Sequence, residues 1–312
     1  MSHRSPRRSR PELPGASGFL VVDKPAGQTS HDIVDEARRW LGTRRVGHLG
    51  TLDPQATGVL PLAIRQATKL IPFIEARHKA YDGTIVLGSE TDTLDAEGEI
   101  VASHAGPLPA RDEVLAALTR FRGDIQQVPP MYSAVKKDGV PLHRLARQGI
   151  DVEREPKWIT IDSLELTRFE SPELDLRVHC SAGTYVRVLA ADLGRVLGCG
   201  AHLGGLRRTA SGPFRIEQAR TVADCAEAAA SGKLEGELIS PVVALGFPVV
   251  TVSGEQERRL RNGGDLASGE LHREPPGTRV CLVDGAGQVL AVAELGADRR
   301  LWPLRVLALE SS

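Results

Sequence analysis

The pattern of apolar and polar residues along this chain predicts a set of β-strands. Apolar runs and strict alternation, bounded by turn residues, favour strands over helices. The segment KAYDGTIVLG at 79–88 shows this well, because alternate residues from Tyr81 to Leu87 face one side of a strand. Strands are predicted at residues 18–24, 59–64, 79–88, 158–170 and 173–180, the last two as a neighbouring pair.

Helical periodicity marks other segments. In IVDEARRWLG at 33–42 the apolar residues recur on one helical face, and Gly42 stands where a helix ends. Thr29 and Asp32 resemble a capping box directly before this segment. Further helices are predicted within residues 67–76, 110–123, 181–198 and 223–238.

The pattern of predicted elements changes near residue 247, which predicts a boundary between two domains. Residues 1–16 carry arginines and few apolar residues, which predicts a disordered basic arm. Residues 17–246 hold most of the predicted elements and form the predicted large domain. Residues 247–312 contain apolar runs around a glycine-containing turn and one short helical segment, which indicates a small β-rich domain.

Residues 124–157 interrupt the large domain without sustained periodicity. They contain Pro129-Pro130, charges of both signs and a short predicted helix at 141–148. We interpret them as a partly mobile insertion, and a solvated surface loop without function is the alternative.

The charge is nearly balanced in total and uneven in distribution. The 312 residues have a formal net charge of −1, which alone favours no class of partner. Arginines concentrate in residues 1–15 and 187–220, and local basic regions of this kind suit a polyanion. No apolar run approaches membrane-spanning length and no apolar stretch follows the N-terminal arginines, so we expect a soluble, cytoplasmic protein.

Common signatures of metal and nucleotide chemistry are missing from the sequence. The cysteines, at positions 180, 199, 225 and 281, form no C-x-x-C pair, which argues against a zinc site and a disulfide framework. No phosphate-binding loop of the G-x-x-x-x-G-K type occurs. We therefore expect no metal and no cofactor.

One stretch, GHLGTLDPQATG at 47–58, restricts its backbone around a single acid, Asp53. An aspartate before proline commonly starts a turn and bonds backbone N–H groups, so a structural role is one hypothesis. Chemistry by the carboxylate is the other. A phosphoryl-accepting aspartate is disfavoured because Gln55 replaces the expected second acid. A retaining glycosidase would need a second carboxylate, and no spacing singles one out.

Five ordered segments, spanning about residues 19–215, resemble the motifs of TruB-type tRNA pseudouridine synthases. GHLGTLDPQATGVLPLAI is similar to the catalytic motif G-x-L-D-P-x-A-x-G-x-L. LVVDKPAGQTSHDIV matches K-P-x-G-x-T-S, and KAYDGTIVLGSETDTLDAEGE matches a K-x-Y segment followed by T-D-T-x-D. SAGTYVRVLAADLG matches G-T-Y-(I/V)-R, and LGGLRRTASGPF matches L-R-R-T-x-x-G-x-F. The C-terminal part is similar to a PUA-type module.

The resemblance implies an α+β protein with a pseudouridine synthase fold. This fold has a large mixed, mainly antiparallel sheet flanked by helices, here followed by a PUA-like domain. The implied activity is isomerisation of the T-loop uridine at position 55 of tRNA to pseudouridine, without a cofactor. The implied partner is the tRNA T-arm, clasped by the insertion at 124–157, and we expect a monomer that acts without a guide RNA.

The resemblance also implies roles for particular residues. Asp53 would be the nucleophile, and Arg187 the partner that keeps it charged against desolvation. Tyr81 would stack on the extruded uracil. Tyr185 would position the base or the Asp53–Arg187 pair, and His48 would contact RNA or support the pocket.

Other positions are implied to bind the substrate less directly. Leu206 would form an apolar wall of the base pocket, while Arg207 and Arg208 would meet phosphates. Lys24 and Gly50 lie in matching motifs and are placed among the substrate-binding residues. Without the resemblance, the arginine pair would be interpreted as a solvated surface.

Other functions remain alternatives at this level. The chain could be a non-catalytic tRNA-binding or RNA-folding protein on the same scaffold. A glycosidase or N-glycosylase would share the carboxylate at a sugar carbon and release free base. Three mechanisms also remain alternatives: Asp53 adds to C6 of the base, attacks C1′, or promotes elimination at C2′.

Overall fold

The described residues form two large sheets, of ten and five strands, and two small sheets of two strands each. The computed structural model describes residues 15–74, 78–133, 135–137 and 139–307. The predicted basic arm of residues 1–16 lies outside them, except for Gly15 and Ala16.

The strands are short in the insertion and long in the centre of the large domain. They are β1 (Gly18–Lys24), β2 (Val46–His48), β3 (Thr57–Ile64), β4 (His78–Leu87), β5 (Ser89–Thr91), β6 (Ile100–Ser103), β7 (Gly123–Gln127), β8 (Lys136–Lys137), β9 (Val140–Pro141), β10 (Lys157–Glu170), β11 (Glu173–Ser181), β12 (Ala201–Ser211), β13 (Phe214–Arg215), β14 (Arg220–Thr221), β15 (Val249–Thr251), β16 (Leu266–Ala267), β17 (Arg279–Val283), β18 (Val289–Leu295) and β19 (Arg300–Val306).

The α-helices are α1 (Ser30–Trp40), α2 (Arg111–Leu118), α3 (Leu142–Ala146), α4 (Val186–Leu197), α5 (Val222–Ala230), α6 (Pro241–Leu245) and α7 (Glu255–Arg261). Segments of 3-10 helix lie at Arg65–Phe73, Thr119–Phe121, Ile216–Gln218, Leu234–Glu237 and Gly269–Arg273. Within the described residues, no helix is both long enough and apolar enough to cross a membrane.

The large sheet has the order β14-β1-β3-β12-β4-β11-β10-β7, with β2 beside β3 and β13 beside β12. The β1–β14 and β3–β12 pairs are parallel, and the other pairs are antiparallel. The predicted mixed, mainly antiparallel sheet is therefore confirmed. Helices α2 and α4 cover one half of the sheet, and α1 and α5 pack against the other half.

Local signals explain several of these elements. The side chain of Thr29 accepts from the backbone N–H of Asp32, and the Asp32 carboxylate accepts from the Thr29 N–H, so the predicted capping box begins α1. On β4, Tyr81, Ile85 and Leu87 are buried in one cluster, as the alternation predicts.

Three local predictions differ from the structure. Strand β12 was not predicted, because Gly204-Gly205 and the arginine pair break its alternation, yet it lies at the centre of the sheet. The predicted insertion begins as a sheet strand, β7. The helix predicted at 67–76 is a 3-10 helix over Arg65–Phe73, in which Pro72 has no N–H to continue an α-helical ladder.

The C-terminal sheet has the order β15-β17-β18-β19-β16 and confirms the predicted small β-rich domain. One face of it shares a hydrophobic cluster with the large domain, where Cys281 and Val292 pack in the same cluster as Phe19 and Leu70. The guanidinium of Arg279 also lies 5.9 Å from the centre of a ring of the large domain, that of Phe73. The two domains therefore meet through a packed interface.

Candidate active site

The loop that carries Asp53 joins β2 to β3. It turns tightly, because the N–H of Ala56 donates to the carbonyl of Asp53 at 3.1 Å. Gly50 has a φ of +117°, which glycine adopts readily. Gly58 has a φ of +98°, and a Cβ there would lie 2.2 Å from the carbonyl oxygen of Arg208. These glycines let the loop pass closely over β12.

The K-P-x-G-x-T-S segment binds the backbone of the Asp53 loop through two side chains. The hydroxyl of Ser30 accepts from the N–H of Leu52 at 2.9 Å and donates to its carbonyl at 3.1 Å. The ammonium of Lys24 donates to the carbonyls of Pro54, Pro25 and Gln28 at 2.7–2.8 Å. Lys24 is fully buried, and burial lowers its pKa to about 8 despite the opposing charge of Asp53.

Arg208 holds the same loop from the sheet. Its side chain is fully buried, and its guanidinium donates to the carbonyls of Val59, Thr51 and Gly50 at 2.8, 3.2 and 3.0 Å. The prediction that Arg208 meets phosphate is therefore wrong: its donors face loop carbonyls inside the protein. Lys24 is corrected in the same way, since its ammonium is enclosed by backbone carbonyls.

Arg187 connects the loop to helix α4. Its Nη2 donates to Oδ2 of Asp53 at 2.6 Å, and its Nη1 donates to Oδ2 of Asp95 at 3.3 Å. The Arg187 side chain is 7% exposed, whereas that of Asp53 is 48% exposed at the mouth of a cleft. The carboxylate of Asp53 thus pairs with a buried guanidinium while one side stays open to a ligand.

Further hydrogen bonds position the helix that carries Arg187 and the second carboxylate, Asp95, that Arg187 binds. Gln127 of β7 accepts from the N–H of Tyr185 at 2.8 Å and donates to its carbonyl at 3.1 Å, which anchors the start of α4. Asp95 is held by the hydroxyl of Thr93 at 2.6 Å and the N–H of Glu97 at 3.2 Å. Its segment is bridged to β12 at Leu203.

The cleft beside Asp53 has a volume of 190 Å³. Its lining includes the predicted residues Asp53, Tyr81, Tyr185, Arg187 and Leu206, which the fold brings together from separate motifs. This volume is well below the roughly 300–1,000 Å³ of pockets for larger ligands, and it suits a single planar base.

Burial controls the proton affinities in the cleft. It raises the pKa of Asp53, an effect opposed by the charge of Arg187 and reinforced by that of Asp95. It raises the pKa of Tyr81 to about 12, and Arg208 opposes that shift. The pKa of Tyr185 is raised by burial as well. The tyrosines therefore stay neutral at physiological pH, and the charged pair is the polar centre of the cleft.

The remaining predicted residues lie outside the cleft lining. His48 packs edge-to-face with His31 at 5.6 Å between ring centres, and burial lowers its pKa. Arg207 forms an ion pair with Asp23, with nitrogen–oxygen distances of 3.0 and 2.7 Å. Gly50 lies in the loop above Arg208, to which its carbonyl is bonded.

Two residues of the site were missed from the sequence. Asp95 belongs to the T-D-T-x-D segment, which matches a family motif in which the sequence analysis gave this carboxylate no role. Lys79 stands two positions before Tyr81, and the strand alternation that places Tyr81 in the cleft places Lys79 there as well. In the described ranges, no group of three or more His, Cys, Asp or Glu side chains could hold a metal ion.

Comparisons with known proteins agree with the motifs. Residues 38–186 match the model of the TruB family pseudouridylate synthase N-terminal domain, and residues 187–244 match that of the tRNA pseudouridylate synthase B C-terminal domain. The chain is 42% identical to tRNA pseudouridine synthase B of Dechloromonas aromatica, covering 94% of this chain and 96% of that protein. It is 50% identical to the protein of that name from Opitutus terrae over 71% of this chain and 92% of that protein.

Solved structures show the same fold. A chain of an H/ACA RNP bound to a substrate RNA containing 2′-deoxyuridine aligns with a TM-score of 0.69 at 23% identity, covering 94% of this chain and 85% of that one. A chain of a Cbf5-Nop10-Gar1 complex aligns with a TM-score of 0.68 at 25% identity, covering 94% and 84%.

Proposed function

This chain belongs to the TruB family of pseudouridylate synthases, and from that premise we propose that it isomerises the T-loop uridine at position 55 of tRNA to pseudouridine with Asp53 as nucleophile. The curated relatives named above are tRNA pseudouridine synthases, which supports tRNA as the substrate. The observation that carries the assignment is the Asp53–Arg187 pair at the mouth of a cleft of single-base size.

The reaction is an isomerisation that these side chains can serve. The bond between C1′ and N1 breaks, the base turns over, and a bond forms between C1′ and C5. C5 loses a proton and N1 gains one, so no redox partner is consumed. The ionised carboxylate of Asp53 reacts with the nucleotide and is released at the end, as in other covalent catalysis by carboxylates. Arg187 stabilises its charge before and after that step.

The target base must leave its stack to enter the cleft. Extruding a base costs a few kcal/mol, and stacking on an aromatic ring offsets part of that cost. Tyr81 and Leu206 line the cleft and would sandwich the uracil. The hydroxyl of Tyr81, with a pKa near 12, stays protonated and can hydrogen-bond the base.

Contacts outside the cleft would hold the rest of the RNA. We assign residues 17–246 to the catalytic domain, with the insertion at 124–157 clasping the T-arm. Residues 247–312 form the PUA-like domain. The packed interface between the two sheets supports a fixed distance from the C-terminal sheet to the cleft. Contacts with RNA phosphates and a surface complementary to the folded RNA would offset the free-energy cost of extruding the base.

Tritium release from T-arm RNA that carries [5-³H]uridine at position 55 tests the proposal. We expect turnover by the wild type and a loss of roughly 10⁴-fold or more for Asp53→Asn, with RNA affinity kept, because the amide cannot act as nucleophile. Asp35→Asn is the matched control, since Asp35 also pairs with an arginine but is exposed.

The outcomes separate the competing functions. Equal turnover by Asp53→Asn would contradict the assignment of the nucleophile. RNA binding without tritium release by the wild type would favour a non-catalytic tRNA-binding protein. Free uracil among the products would identify an N-glycosylase.

A further inference from the structure

The ammonium of Lys79 is a cation that the reaction above does not use. Lys79 is the second residue of β4, paired in register with Cys180 on one side and Ser211 on the other. Its side chain lines the same cleft as Asp53 and Tyr81. It lies beneath the Asp53 loop, where a Cβ at Gly50 would be 3.4 Å from its Nζ.

Among the described residues, no carboxylate pairs with the ammonium of Lys79. Within the part of the chain that the structure describes, the Nζ of Lys79 makes no hydrogen bond or ion pair. The carboxylates of Asp53 and Asp95 are bound to Arg187. Burial lowers the pKa of Lys79 to about 8, and repulsion by the guanidinium of Arg208 adds to this shift.

We propose that Lys79 and the open backbone at Gly50 form the binding site for an RNA phosphodiester that flanks the target uridine. This inference rests on the proposed function, because it needs RNA in the cleft.

The chemistry of the site favours a phosphate. A partly buried ammonium without an acceptor is costly, so a ligand that supplies an anion gains a strong charge-assisted hydrogen bond. The phosphodiester is the anion that RNA offers next to every base. Gly50 has no side chain to block its approach, and a Cβ at that position would also stand 3.8 Å from Nη1 of Arg208. The guanidinium of Arg208 stays bound to loop carbonyls, so Lys79 is the cation that would contact the phosphate.

The test uses single-turnover tritium release, which yields both the half-saturating enzyme concentration and the maximal rate. Wild type, Lys79→Gln and Lys79→Met are compared on T-arm RNA at several salt concentrations, with exposed Lys233→Gln as the matched control. In a second arm, a neutral methylphosphonate replaces the phosphate on the 5′ or the 3′ side of the target uridine. Thermal melting checks that each variant is folded.

We expect Lys79→Gln to weaken binding roughly tenfold and to reduce the slope of log affinity against log salt by about one, with the maximal rate nearly kept. One methylphosphonate should weaken wild-type binding by a similar factor and have no further effect on Lys79→Gln. If Lys79→Gln does not fold, the same pattern is expected of Lys79→Met, which keeps the apolar stem. Lys233→Gln should keep the wild-type dependence on each methylphosphonate.

The proposal would be overturned if each methylphosphonate weakened RNA binding by Lys79→Gln as much as it weakens binding by the wild type. An unchanged salt slope, or a fall in maximal rate with unchanged binding, would also overturn it. A wild type without tritium release would instead reject the proposed function, and that result is separate from every result with Lys79.

Discussion

The Nη2 atom of Arg187 lies 2.6 Å from the Oδ2 atom of Asp53, although 134 positions separate the two residues in the chain. The guanidinium is almost fully buried and the carboxylate is half exposed. A buried arginine therefore presents the carboxylate of Asp53 to the cleft, and the pairing depends on the contact of helix α4 with the loop before β3.

The planar fork of Arg187 gives a first prediction. Arg187→Lys keeps the charge but cannot reach Asp53 and Asp95 together, so we expect the rate to fall roughly 100-fold or more with RNA binding largely kept. Arg195→Lys on the same helix, which alters an exposed pair with Asp192, should match the wild type. Equal rates for the two variants in the tritium assay would show that the simultaneous contact of Arg187 with Asp53 and Asp95 is unimportant.

Removing the charge of Arg187 should change the pH profile. Arg187 lowers the pKa of Asp53 against the larger effect of burial, so Arg187→Met should raise that pKa further. A carboxylate with a higher pKa loses its charge earlier as the pH falls. The acidic limb of the single-turnover rate should therefore move to higher pH, and an unmoved limb would assign it to another group.

Asp95 should act on the profile in the opposite direction. Its charge raises the pKa of Asp53, so Asp95→Asn should lower that pKa and move the acidic limb to lower pH. The plateau rate should fall roughly 10- to 100-fold, because Arg187 loses its second anchor. Glu99→Gln, an exposed change in the same acidic segment, is the control. A rate loss without the pH shift would mean that Asp95 only supports the fold.

Tyr81→Phe separates stacking from the hydroxyl. The ring remains, so RNA affinity should change less than about threefold, while the rate should fall because the protonated hydroxyl near the base is lost. Equilibrium binding to T-arm RNA and tritium release measure the two effects. A collapse of binding with a normal maximal rate would instead identify Tyr81 as an anchor through its hydroxyl.

The close approach of β3 and β12 predicts a stability effect at Gly58. A Cβ there would lie 2.2 Å from the carbonyl oxygen of Arg208, on a backbone with a φ of +98°. Gly58→Ala should lower the free energy of unfolding by about 2 kcal/mol or more, measured by urea denaturation. Gly205→Ala on β12 has open space around its Cβ and should stay within about 1 kcal/mol of the wild type.

Much of the architecture could be predicted from local sequence. Thr29 and Asp32 set the start of α1, alternation placed Tyr81 on the buried face of β4, and the apolar runs after residue 247 predicted a second β-rich domain. These features depend on hydrogen bonds within one turn or on a period of two, so neighbouring residues contain the information. The roles of the site residues came from motif resemblance and stay predictions, apart from the corrected roles of Arg208 and Lys24.

Burial and pairing across the chain could not be predicted in that way. Strand β12 has glycines and arginines in place of alternating apolar residues, yet the partners on both its sides make it central. Arg208 was expected at the surface, and it lies buried because backbone carbonyls of the Asp53 loop replace water around its guanidinium.

The sequence by itself determined the positions of several long strands and most helices, the restricted backbone around Asp53 and the family motifs. Only the tertiary structure decided that Asp53 shares Arg187 with Asp95 and that Lys24 and Arg208 support the loop from inside. It also places Lys79 in the cleft with no anionic partner among the residues that it describes. Propensity and capping act between residues close in the chain. Desolvation and ion pairing depend on which distant groups the fold brings together.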